Sequence, residues 1–454
     1  MGYVTPPSLF EPRLQRRYQT LVNEQSASVT SVAAGPRALP SETQVEAATK
    51  AAFRFYRNPR ISRTQLSEPL LKLARESLAE SCKSFALVVH DWSLLHLNDH
   101  DSKKDRIPLS QSTDLGYKLQ SALLVGDRSG DPLAPVYLGV EAANGVHSSS
   151  SDGIEQSLSQ KDNLAPVMAY VEGLAWQKPA VHIIDAEAES VAHFRHWSEG
   201  GYLYLVRADA CNTVEHEGET RSLEDIGKQL GPQFRWTREV EYHGKAAQQF
   251  VAETTVTIVR SAQLQRQNEE GKKTRTYLPG PPLTLRLIVA EVRDEEGVVL
   301  ATWYLLTNVP CCAIADVIAL WYYWRWRIES YFKLLKGAGL QLEHWQQETA
   351  AAFTRRLLVA SMACVQVWRL ARSTAPEAEH VRKILIRLSG RQMKRGKAFT
   401  EPALLAGLWV YLAMMEVMDQ FNHQELKDLL DPIFPKPEPR HTPTLPTGKD
   451  MCPD

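Results

Sequence analysis

Apolar and polar positions change their period several times along the chain, and each change marks a different element. Phe85-Ala86-Leu87-Val88-Val89 is a short continuous apolar run that ends at His90-Asp91. Such a run is the pattern of a strand buried on both faces. Leu119 to Val125 and Pro135 to Val140 predict two further strands, joined by the turn-rich Gly126-Asp127-Arg128-Ser129-Gly130-Asp131. Leu164 to Trp176 reads as a helix, and Ala180-Val181-His182-Ile183-Ile184 as a fourth strand that ends at Asp185. A helix over Ala186 to Trp197 and a fifth strand over Tyr202 to Val206 follow.

Three hairpin-like strands, then helix, strand, helix and strand, is the order of a ribonuclease-H-like α/β domain. Its first part is expected over residues 64–210 and its second over 301–345. Between them, 211–300 reads as a β-rich insertion, with strands at Val251 to Val259, Leu283 to Val292 and, running past it, Val298 to Thr307. Residues 1–63 predict a helical N-terminal domain, broken by the loop Ala33-Ala34-Gly35-Pro36 and by Pro40-Ser41. Ser41 would cap a helix running through Val45, Ala48, Ala52 and Phe55 to Asn58-Pro59. Residues 346–430 are mostly helical, with a long apolar segment from Leu404 to Met418. Residues 431–454 hold seven of the chain's 26 prolines and are expected to be a disordered tail.

Composition narrows the class without naming it. Hydrophobic residues make up 44% and charged residues 23% of 454, a soluble globular profile. The six cysteines are scattered with no CxxC pair, so neither zinc nor a disulfide framework is indicated. No apolar run approaches the roughly 20 residues that span a bilayer, and there is no signal-peptide pattern, so a cytoplasmic protein without membrane contact is expected. The net charge of −1 does not advertise a nucleic-acid binder. Residues 1–63, however, carry nine basic side chains against four acidic ones. Short helices with arginines on one side can place a helix in a groove of DNA.

The most informative segment runs from Tyr322 to Lys336. At ~100° per residue, Arg325, Glu329 and Lys336 fall within about 60° of Tyr322 on one helical stripe. Leu320, Trp324, Ile328, Tyr331 and Leu335 fall on the opposite face, at ~160–240°. One face therefore packs inward and the other presents an acid flanked by a phenol and two cations. An Arg325–Glu329 pair on a bare surface helix would contribute only a few tenths of a kcal/mol. A carboxylate can also ligate a hard divalent cation, and the neighbouring cations and phenol can hold phosphate oxygens. Asp91 and Asp185 each end a buried strand. If those strands are adjacent, both carboxylates leave the same sheet edge and join Glu329 as three acids able to hold two Mg²⁺ ions. Asp99, Asp101, Asp105, Glu187 and Glu189 are competitors on composition alone.

Tyr322-x2-Arg325-x3-Glu329-x6-Lys336 resembles the Tyr-Arg-Glu-Lys signature of the bacterial insertion-sequence-four family of cut-and-paste DDE transposases. Ala52 to Pro59, the surroundings of His90-Asp91, Asp185 to Ala188 with the strand ending at Arg207, and Trp303 to Thr307 extend the likeness over most of residues 10–345. The resemblance implies Asp91, Asp185 and Glu329 as catalytic metal ligands, with two Mg²⁺ ions for which Mn²⁺ can substitute. It implies DNA contacts from Tyr322, Arg325, Lys333, Lys336 and Arg207, and base stacking by Trp303. Arg17, Glu46 and Arg54 match end-binding positions, making 1–63 the DNA-end recognition domain. The implied partners are double-stranded DNA with inverted-repeat ends, target DNA and a second copy of the chain, with 346–430 as the dimerisation domain in a bacterial, nucleoid-associated setting. The implied reaction is hydrolysis and strand transfer through a DNA hairpin. Rival readings are a nuclease of the same fold and a catalytically silent DNA-binding regulator.

Overall fold

The computed structural model describes residues 11–27, 42–267, 273–337, 339–394 and 396–430. The expected loop at 33–36, the cap at Ser41 and the proline-rich tail 431–454 lie outside the described residues. Three helices come first: α1 (Pro12–Ala27), α2 (Glu42–Arg57) and α3 (Arg63–Ser81). Five strands follow, β1 (Ala86–His96), β2 (Ile107–Pro108), β3 (Leu115–Gly126), β4 (Pro132–Ala142) and β5 (Gly145–Ser148). Then α4 (Leu164–Gly173), β6 (Ala180–Ile184), α5 (Val191–Glu199) and β7 (Leu203–Ala208) alternate. The β-rich stretch comprises β8 (Thr213–His216), β9 (Glu219–Ser222), α6 (Leu223–Gln229), β10 (Arg235–Tyr242), β11 (Lys245–Ile258), β12 (Ala262–Gln267), β13 (Lys273–Leu278), β14 (Leu283–Arg293) and β15 (Val299–Thr307). Six helices end the described chain: α7 (Ala315–Tyr323), α8 (Trp326–Leu335), α9 (Ala350–Arg372), α10 (Pro376–Ser389), α11 (Glu401–Gln420) and α12 (His423–Leu430).

The architecture is mixed α/β around one large sheet of order β5-β4-β3-β1-β6-β7-β15-β14-β11-β8-β9. β1 is its pivot, antiparallel to β3 on one side and parallel to β6 on the other. β7 continues parallel to β6, and β15 then returns antiparallel to β7. Through β15 the strands of the β-rich stretch prolong the central sheet instead of standing apart from it, while β12 and β13 form a separate two-stranded sheet.

β1 runs further than its apolar run suggests. Its ladder to β3 continues from Ala86 to His96, whereas its pairing with β6 stops at Val89. The antiparallel partner satisfies the backbone beyond Val89, so the strand carries on through His90 and Asp91. Asp91 is therefore an interior strand residue, opposite Ser121, at the point where β1 outlives its parallel neighbour.

The helix α9 organises the rest. Thr349 caps it, accepting a hydrogen bond from the Ala352 amide, and most of its residues are buried. It is long and apolar enough to cross a bilayer, but it is enclosed by protein, packing against β4 and the helices α1, α2, α3 and α8. Each of its fully buried leucines or valines stabilises the fold by about 1.5–3 kcal/mol. Buried Arg355 on α9 donates from Nε to the Ile61 carbonyl at 2.7 Å and from Nη1 to that of Tyr56 at 3.1 Å. Arg63 is buried too, holding the carbonyls of Ser148, Ser151 and Gly153. Of the basic residues near the N-terminus, Arg63 thus serves the fold directly.

Candidate active site

Asp91 and Asp185 reach the same edge because β1 and β6 are parallel neighbours. Ala180 to Ile183 pair with Ala86 to Val89, and Asp185 follows one residue after β6 ends. Asp185 also caps a short 3₁₀ turn, Ala186–Ala188, accepting from the Ala186 amide at 2.7 Å. The capping role and the sheet-edge position coexist in one side chain.

Glu329 comes from α8, and here the expected single helix from Tyr322 to Lys336 is corrected. α7 ends at Tyr323 and α8 begins at Trp326, so the stripe is divided. Across the junction the amides of Arg325, Arg327 and Ile328 bond to carbonyls three residues back. This local tightening rotates successive side chains by more than an α-helix does. Arg325 turns inward, 6% exposed, and Lys336 falls at the C-terminal cap.

Arg325 stands among the three acids. Its Nη1 lies 3.5 Å from Asp91 Oδ2, and its Nη2 lies 3.2 Å from Asp185 Oδ2 and 3.0 Å from Glu329 Oε1. The Tyr322 hydroxyl donates to Asp185 Oδ1 at 3.1 Å. Arg207, from β7, forms an ion pair with the same oxygen at 2.6 Å. Burial pushes the Asp91 carboxyl up to about 6, with Arg325 and the Trp92 amide pulling the other way and Asp185 and Glu329 adding to the rise. Burial alone would lower the Arg325 guanidinium, yet Tyr322 and the three carboxylates hold it above its usual value. The Tyr322 phenol is held neutral by burial and by Asp185.

A cleft of about 440 Å³ opens beside Asp91 and Glu329, walled by Phe332, Lys333 and Lys336. Lys333 is exposed. Lys336 Nζ donates to the Leu94 carbonyl at 2.6 Å and lies 3.4 Å from Glu343, so it is tied to β1 and to the loop after α8. Trp303 is 5% exposed and packs edge-on against Tyr322, ring centroids 5.3 Å apart. It lies under the site and supports the phenol. Half-buried Trp92 lines the cleft, and Trp326 beside the site is 38% exposed, with the Arg325 guanidinium 5.2 Å from its ring. In the sequence, only the place of Trp326 beside Arg325 in the signature run signals it. Arg54 is exposed on α2 and Arg17 half-buried on α1, neither in an ion pair with the three acids; the Glu46 side chain is outside what is described.

Several rival acids are occupied elsewhere. Glu189 accepts from the Asp209 amide and Asn212, Asp105 from Tyr117 and the Ala350 amide, and Asp101 pairs with Arg106. As placed, no three acid, histidine or cysteine side chains among the described residues stand close enough to enclose one ion. The donor chemistry still suits a hard divalent cation, since three carboxylates from separate elements turn towards one positive centre.

No family model matches this chain, and no curated protein matches it. Among solved structures it is similar to a piggyBac transposase in a synaptic complex with hairpin DNA. The identity is 10% and the TM-score 0.36, over 95% of this chain and 77% of that one. So loose a likeness carries no argument, and the functional reading rests on the site.

Proposed function

We propose that this chain is a DNA transposase with a ribonuclease-H-like catalytic core and that Asp91, Asp185 and Glu329 are its three catalytic acids. The observation that carries the reading is the meeting of these carboxylates, from β1, the end of β6 and α8, around one guanidinium beside a lysine-walled cleft. The strand order β4-β3-β1-β6-β7, antiparallel and then parallel, agrees with that core. The three acids would hold Mg²⁺, or Mn²⁺ in its place; when bound, such ions activate a water or 3′-hydroxyl and stabilise the leaving oxygen of an in-line displacement.

The chain's own groups then position the DNA. Lys333, exposed on the cleft wall, meets a phosphate as a point charge, and Lys336 adds a second. Tyr322 and Arg207 orient Asp185. Strand nicking, attack of the freed 3′-hydroxyl on the opposite strand to form a hairpin, hairpin opening and joining to target DNA each make one phosphorus–oxygen bond and break another. One site can therefore serve all four. Arg54, exposed on α2, and Arg17, half-buried on α1, would contact the element's ends. The C-terminal half of α11 exposes Tyr411, Met414, Met415 and Met418, and Phe421 follows, an apolar face suited to a second copy of the chain. Such a protein would work in the bacterial cytoplasm, on the nucleoid.

The test is Mg²⁺-dependent cleavage and joining of DNA carrying the element's ends. Glu329→Ala should abolish both while leaving end binding in place. Unchanged nicking and transfer by that variant would sink the reading.

A further inference from the structure

The three acids surround a cation already, and it belongs to the chain. We propose that Arg325 is a resident counter-cation that keeps the carboxylates together in the DNA-free protein, and that divalent ions must displace it before they bind. The inference rests on the reading that these acids take divalent cations.

Three observations support it. One guanidinium lies within 3.5 Å of all three acids, two of them through the same nitrogen, Nη2. Among the described residues, no three acids stand close enough together to enclose an ion, these three included. Its Nε is buried without a hydrogen-bond partner, so the side chain has a donor left to satisfy. A guanidinium has five donors in a planar fork that matches phosphate, and Trp326 and Tyr322 flank it with ring faces. Displaced from the acids, it can turn towards a phosphate in the adjoining cleft without leaving these aromatics. Ion binding would then be coupled to release of an anion-binding arm, and each would favour the other.

Mn²⁺ binding to the DNA-free full chain, read by electron paramagnetic resonance of the free ion, tests this in wild type, Arg325→Gln and Arg325→Lys. Arg325→Gln should bind Mn²⁺ about tenfold more tightly than wild type, within the usual range of coupling factors. Arg325→Lys keeps the charge but cannot bridge three carboxylates, so it should fall between. Without ions Arg325→Gln should melt below wild type, and Mn²⁺ should raise its Tm by the larger increment. Adding Glu329→Gln should cancel the gain in affinity. Equal or weaker binding by Arg325→Gln overturns the proposal, as does a gain that survives Glu329→Gln. Should Arg325→Gln not fold, Arg325→Lys decides alone, and affinity no tighter than wild type overturns the proposal. Absence of Mn²⁺ binding in every form would overturn it together with the divalent-metal reading; measurable but unchanged binding overturns this inference only.

Discussion

Three negative side chains share one arginine and part of a second, and the individual hydrogen bonds around them decide which acid is held where. Asp185 is the most constrained, with the Tyr322 hydroxyl, Arg207 and the Ala186 amide all on Oδ1. Tyr322→Phe removes one of these donors and leaves a ring that still packs on Trp303. Stability should change by no more than about 1 kcal/mol, the net contribution of one hydrogen bond. If the orientation of Asp185 matters to catalysis, cleavage of end-bearing DNA should slow on the order of tenfold, equivalent to 1.4 kcal/mol in the barrier. A folded Tyr322→Phe protein that cuts at the wild-type rate would show that this hydroxyl plays no part. Residue-scale chemistry of this kind was only half legible in the sequence. Residue type and spacing brought Tyr322, Arg325 and Glu329 together, but an ideal helical wheel puts Arg325 on an outer stripe. Its inward turn depends on a helix junction that no wheel contains.

That junction is made by contacts distant in sequence. Gly130, in the turn between β3 and β4, has φ +68° and lies against the indole of Trp324, where an added Cβ would come within 2.4 Å of the ring. Its carbonyl accepts from Arg327 Nε at 2.8 Å. The turn thus clamps both sides of the α7–α8 break. Gly130→Ala must push the indole aside and adopt a left-handed backbone, at a cost of about 1–3 kcal/mol. Chemical denaturation should show that loss, and Mg²⁺-dependent cleavage should fall with it. Wild-type stability would mean that the turn yields freely. The strands were read more successfully than this junction. Continuous apolar runs located β1, β3, β4 and β6, and adjacency of β1 and β6 puts Asp91 and Asp185 at one edge. The run before Asp91 nevertheless ended the strand too early, because a polar residue stops an apolar pattern without stopping a backbone ladder. The joining of β15 to β7 was hidden for a related reason: period-2 patterning announces a strand but not its neighbour.

At the scale of the whole molecule, α9 ties the N-terminal helices to the sheet, and Arg355 is the clearest tie. Arg355→Met keeps the apolar stem and removes the bonds to the Tyr56 and Ile61 carbonyls, leaving both without these partners. A loss of about 2–4 kcal/mol is expected. Limited trypsin digestion should then cut first in the region of Arg54, Arg57 and Arg60, well before the sheet is attacked. Digestion that begins elsewhere at the wild-type rate would refute this division of labour. The sequence offered little warning, since an arginine within a helical stretch looks alike whether its targets are carbonyls or phosphates.

The same tie has a consequence for how the protein is made. Arg355 follows Tyr56 by 299 residues, and at about 5–20 residues per second a ribosome needs roughly 15–60 s to travel between them. Throughout that interval α1 and α2 have emerged without α9, against which both pack, so their apolar residues, buried in the finished fold, are expected to stay exposed for longer. The acids obey the same clock: Asp91 and Asp185 emerge long before Glu329 exists, so under the proposed function a nascent or prematurely terminated chain would carry an incomplete set of cutting groups. If Glu329 is the last of the catalytic acids, as proposed, the protein would acquire its chemistry only after most of its framework has been laid down.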